Sequence, residues 1–146
     1  MRKLTAAVLG SCLLLPATAH AGGELDCSFS DATGAFFFGG LYAQLGRSKL
    51  ENIAGSFETA NLRLPPSLSA FEFRPDQLVE QRFDADAIHL KFDVRTGTTE
   101  ATPSMTITID SRRGSDDKVA YVGGYSLVVS PPRQQFTGTV YCYVQG

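Results

Sequence analysis

Over the C-terminal two thirds of the chain, apolar and polar residues alternate one by one, a period that fits half-buried strands and excludes amphipathic helices there. In residues 87–95, Ile88, Leu90, Phe92 and Val94 alternate with His89, Lys91, Asp93 and Arg95. Met105, Ile107 and Ile109 repeat the pattern against Thr106, Thr108 and Asp110. The intervening RTGTTEATP has hairpin-loop composition, so these two strands are expected to pair. In the final run, Val140, Cys142 and Val144 alternate with Thr139, Tyr141 and Tyr143. Leu25, Cys27 and Phe29 likewise share one face near the start.

The first 21 residues read differently. Arg2 and Lys3 precede an apolar stretch from Leu4 to Leu15, then Pro16 and a small-x-small Ala19-His20-Ala21. That order describes a cleaved signal peptide, 1–21, leaving residues 22–146 as a single β domain. Cys12 loosely matches a lipid-modified cysteine, but the apolar run continues past it through Leu15, so lipoprotein processing is the minor reading. A periplasmic or secreted location follows. In an oxidising compartment, Cys27 and Cys142 on apolar faces are expected to form a disulfide rather than a metal or redox site.

Between the ends, ETANLRL, SAFEFRP and DQLVEQRFD read as short strands punctuated by Pro65-Pro66 and Pro75. Gly123-Gly124 either bends one long strand or separates two short ones. Residues 34–54 fit helix or strand: Tyr42, Leu45, Lys49 and Ile53 have helical spacing, while Leu41, Ala43 and Leu45 alternate and three glycines weaken a helix. Strand and turn are favoured there. The fold expected is all-β: a single antiparallel β-sandwich or flattened barrel of about seven to nine strands, closed by one disulfide.

The 13 basic and 15 acidic residues give a net charge of −2, and loss of Arg2 and Lys3 leaves 11 against 15, or −4. That balance argues against nucleic acid or an anionic membrane surface as partner. No apolar stretch after residue 21 approaches the ~20 residues of a membrane helix, so no integral membrane segment is expected after cleavage. No phosphate loop, dinucleotide fingerprint, GxSxG elbow or HExxH helix occurs, and no cofactor is expected.

Catalysis would have to use His89, the sole histidine left after cleavage. Asp93 lies on its face but ~13 Å along the strand, so a cross-strand Asp110 or a serine would have to complete the group. Glu72, Glu80, Asp93 and Asp110 are available as paired carboxylates for hydrolysis, without a spacing that selects two. Asp84-Ala85-Asp86 and Asp116-Asp117 fit turns better than a calcium loop, and no metal is expected.

Two features fit docking instead. Phe36-Phe37-Phe38 cannot all point into one core from one strand, so at least one ring is expected outside, with Tyr42 close behind. Arg112-Arg113-Gly114-Ser115 is read as a hairpin tip able to enter an acidic cleft. The pattern resembles small exported β domains of bacterial envelopes, including inhibitors of lysozymes and proteases, with no motif carried over residue by residue. A non-enzymatic exported protein that binds a protein or envelope component is the first expectation; a small hydrolase and a structural envelope protein are the alternatives.

Overall fold

The structure, a computed structural model, describes residues 22–61, 63–115 and 120–146. Residues 1–21, read above as a signal peptide and including Cys12, and Asp116-Asp117 lie outside the described residues. Among those described, the strands are β1 (Gly23–Asp31), β2 (Gly34–Tyr42), β3 (Glu51–Glu58), β4 (Ala70–Glu72), β5 (Leu78–Phe83), β6 (Ala87–Arg95), β7 (Ser104–Arg113), β8 (Ala120–Ser130) and β9 (Gln134–Gln145). No described helix is long and apolar enough to cross a membrane.

All nine strands belong to one antiparallel sheet, in the order β4-β3-β2-β1-β9-β8-β7-β6-β5. Two meanders, β1–β4 and β5–β9, are therefore spliced side by side through the β1–β9 ladder. The sheet curls until its inner faces meet. Phe38 on β2 packs against Phe92 on β6 with ring centroids 4.8 Å apart, and Phe73 wedges beside Phe92 at the same separation. This half-barrel is the flattened-barrel alternative; one sheet folds over its own core, and no second sheet is needed.

The edges β4 and β5 do not pair. A 3-10 turn, Pro75–Gln77, lies between them, and its buried Gln77 accepts a hydrogen bond from the Arg74 N–H through Oε1 at 2.8 Å. Across the same seam, Gln81 Oε1 accepts from the Leu50 N–H at 2.8 Å. Side chains thus satisfy backbone donors where no ladder exists.

Residues 34–54 form β2, a turn with Gly46 at φ +75°, and the start of β3. The β2–β3 register shifts between Gly39 and Leu41, where Asn52 adopts φ +48°, a left-handed conformation that asparagine tolerates. β8 runs unbroken through Gly123, where a Cβ would collide with the Asp110 carbonyl oxygen of β7.

Beyond Glu58, the described residues of ETANLRL do not form a strand. Glu58 ends β3; Thr59 Oγ1 then accepts from the Asn61 N–H at 2.9 Å, and Asn61 Oδ1 accepts from the Arg63 N–H at 3.1 Å. These local side-chain bonds compete with a ladder, and Pro65-Pro66 ends any continuation.

Cys27 and Cys142 face each other directly in the β1–β9 register and are joined by a disulfide, both buried. One strand away, Tyr125 of β8 stacks on Phe29 with centroids 3.7 Å apart and donates its hydroxyl to Asp31 Oδ2 at 2.7 Å. Burial pushes that phenol up to about 12.

Candidate functional site

Strand alternation in β1 sends Leu25, Cys27 and Phe29 inward and leaves Glu24, Asp26 and Ser28 on the outer face. The phenylalanine triplet divides the same way. Phe36 and Phe38 are 2% and 0% exposed, whereas Phe37 is 49% exposed. Register then assembles an outer patch from three strands. Ser28 is flanked by Phe37 on one side and Tyr141 on the other, with Val122 beyond Tyr141. In the adjacent row Asp26 is flanked by Gly39 and Tyr143, and Glu24 by Leu41 and Gln145.

Tyr141 and Tyr143 are 48% and 45% exposed, and Leu41 and Val122 are comparably open. An open depression of about 560 Å³ lies between Phe37 and Tyr141, lined by Ser28, Ser30, Ser56 and Glu58. A row of large exposed rings on one side of a small domain differs from scattered surface apolar residues, because contiguous rings can be desolvated together by a partner.

The charge distribution is one-sided. The six adjacent strands β4-β3-β2-β1-β9-β8 carry Glu24, Asp26, Asp31, Glu51, Glu58 and Glu72 but no Lys or Arg. The remaining three carry Arg82, Lys91, Arg95, Arg112 and Arg113 beside Glu80, Asp93 and Asp110. Register places Glu24, Asp26, Glu51, Glu58 and Glu72 on the same outer face as Phe37 and Leu41.

Within that face Asp26 is uncompensated. Its Oδ1 is buried without a hydrogen-bond partner, and desolvation, reinforced by Glu24, raises its carboxyl above the usual carboxylate range. Gly39 opposite makes the room: a Cβ there would lie 2.5 Å from Asp26 Oδ1. For a carboxyl whose folded pKa is raised, the contribution to stability is fully present below its unfolded pKa and is lost as pH rises through the folded value. Asp26→Asn is therefore expected to raise the melting temperature at pH 7, with the gain shrinking as the pH falls through the raised folded value and largely gone by about pH 3. Thermal melts at both pH values check this; a lower melting temperature for the variant at pH 7 would contradict the desolvation assignment.

The other residues singled out in the sequence fall elsewhere. Phe36, Phe38 and Tyr42 are core residues and are withdrawn as contact residues; Tyr42 turns inward and donates its hydroxyl to the Gln145 carbonyl at 3.1 Å. Arg112 and Arg113 are exposed but do not form a hairpin tip. They are the last two ladder residues of β7, opposite Val122 and Tyr121, and as consecutive strand residues they project to opposite faces. Asp26, Tyr141 and Tyr143 were not singled out. The two tyrosines on the wet side of the last alternation were the available signal.

On the distant outer face, His89 Nδ1 lies 2.6 Å from Asp110 Oδ1 of β7, and Nε2 lies 3.5 Å from Glu80 Oε2 of β5. Lys91 Nζ contacts Glu80 at 2.6 Å and holds its carboxyl below the usual range. Asp110 thus reaches His89 across the ladder. The partners of His89 among the described residues are carboxylates, an arrangement with a base and an orienting acid but no nucleophile. Asp84 Oδ1 accepts from the Asp86 and Ala87 N–H groups, which makes it a turn residue. Among the described residues, no group of three or more His, Cys, Asp or Glu is placed to hold a metal ion.

No protein-family model, curated protein sequence or solved structure matches the chain.

Proposed function

We propose that the protein is an exported, non-enzymatic binding domain that docks a protein or cell-envelope component on the outer face of β2, β1 and β9. The observation that carries this reading is the contiguous set of exposed rings, Phe37, Tyr141 and Tyr143, held on a rigid sheet. Aromatic side chains are the usual energetic anchors of interfaces, and a platform already ordered by its ladder loses little entropy when it binds. The signal-like segment 1–21 and the buried disulfide support export to a periplasmic or extracellular compartment.

A photo-crosslinking amino acid placed at position 37, or at position 89 on the other outer surface, tests the reading in native cells. Discrete adducts at position 37 and none at 89 are expected. Adducts at 89 alone would move the docking surface to β5–β7, and no adduct at either position would reject the binding reading.

A further inference from the structure

The outer face joins three observations that separately say little. Its rings stand on either side of Ser28, on strands two ladder spacings apart, which sets their backbones about 10 Å from each other. A gap of that width accepts one extended aliphatic stem with a ring on each side. Glu58 lines the same depression, with the hydroxyls of Ser28, Ser30 and Ser56 along its floor and wall. One row away, Asp26 keeps a buried oxygen with no partner beside Tyr143.

No cation of the six strands answers these carboxylates. Elsewhere on the sheet the same protein pairs its charges: Lys91 with Glu80 at 2.6 Å and Arg95 with Asp93 at 3.3 Å. We infer that the occupant of this face is a cationic polypeptide segment in extended form, with a lysine or arginine side chain seated between Phe37 and Tyr141 and its charged head at Glu58. A second basic side chain along the segment meets Asp26 and Glu24. This rests on the docking reading above and names its partner class.

The chemistry favours a cation over a neutral saccharide for two reasons. Ring faces attract lysine and arginine heads through their quadrupole, and the apolar stems of those side chains match the ring surface. A neutral ligand would gain nothing from six strands without a basic residue, whereas a cationic segment is steered by that field and relieves the uncompensated carboxylate it covers.

The test uses the disulfide-bonded mature chain in an NMR titration at low ionic strength. The probes are a capped Gly-Lys-Gly-Lys-Gly-Lys-Gly peptide, its Glu counterpart, and a neutral β-linked glucose hexasaccharide. The lysine peptide is expected to shift the amides of Ser28, Phe37, Tyr141 and Tyr143, and added salt is expected to reverse the shifts. Phe37→Ser, which changes no charge, and Glu58→Gln, which keeps the rings, are each expected to weaken binding about three- to tenfold.

Equal shifts around Asp93 and Asp110, or no loss on Phe37→Ser, would reduce the effect to general attraction and overturn the inference. Binding of the hexasaccharide in place of the lysine peptide would also overturn it, while the docking reading stood. Failure of every probe with crosslinking at position 37 intact would remove the cationic occupant alone; loss of that crosslinking removes the docking face itself.

Discussion

Phe38→Ala is expected to destabilise the fold by about 3–5 kcal/mol, the range for truncating a fully buried phenylalanine. Phe38 has no exposed surface, and it stands edge-on to Phe92 of β6 and to Phe73, with centroids 4.8 and 6.4 Å away. Phe92 belongs to the opposite wall of the half-barrel, whereas Phe73 follows β4 on the same meander as Phe38. The cavity would open where the inner faces of the two meanders meet. For a domain of this size this corresponds to a fall of roughly 10–20 °C in melting temperature. Its neighbour Phe37, half exposed on the same strand, is expected to tolerate serine with a shift of no more than about 2 °C. Thermal melts of the two variants side by side check both values, and equal destabilisation would contradict the division of the triplet.

The second large effect concerns the disulfide. Cys27 and Cys142 are 115 residues apart in sequence and staple β1 to β9, the ladder that splices one meander to the other. In the chain-entropy model, closing a loop of that length contributes ~4–5 kcal/mol, an upper figure. The Cys27→Ala/Cys142→Ala double variant is expected to lose most of that amount and still fold, because the remaining core is continuous. Denaturant melts give the magnitude, and hydrogen exchange gives the place: amides of β1 and β9 are expected to lose protection before those of β6 and β7. A double variant within about 1 kcal/mol of the parent would show that the splice holds without its crosslink.

Where the fold depends on neighbours in sequence, it was legible. The alternations around Ile88–Val94 and Met105–Ile109 mark β6 and β7 because a strand with one buried face carries its period locally. The same logic placed Cys27 and Cys142 on inward faces. The glycine-rich 34–54 segment was ambiguous because Gly39, Gly40 and Gly46 carry no side chain to show a period, and just beyond it Gly55 leaves no room for a Cβ beside the Phe37 carbonyl. ETANLRL misled because its apolar residues alternate while Thr59 and Asn61 bind the local backbone.

The candidate site was legible only in part. A divided Phe36–Phe38 triplet follows from alternation alone. Its companions do not, since Asp26 joins Phe37 through the β1–β2 register and Tyr141 only through the β1–β9 register, which pairs residues more than 100 positions apart. Tyr42 illustrates the converse: near Phe37 in sequence, it points into the core and closes the end of the β1–β9 ladder through the Gln145 carbonyl. The charge asymmetry also needed the strand order, because its acidic strands come from both ends of the chain.

The most direct measurement compares partner capture and thermal stability in one variant, Phe37→Ser/Tyr141→Ser. Both rings are about half exposed, and neither lies in the core, so the melting temperature is expected to stay within a few degrees of the parent. Capture of the partner that crosslinks at position 37 is expected to fall by at least tenfold, the loss that follows from removing two aromatic anchors. Undiminished capture by a normally folded double variant would contradict docking on this face.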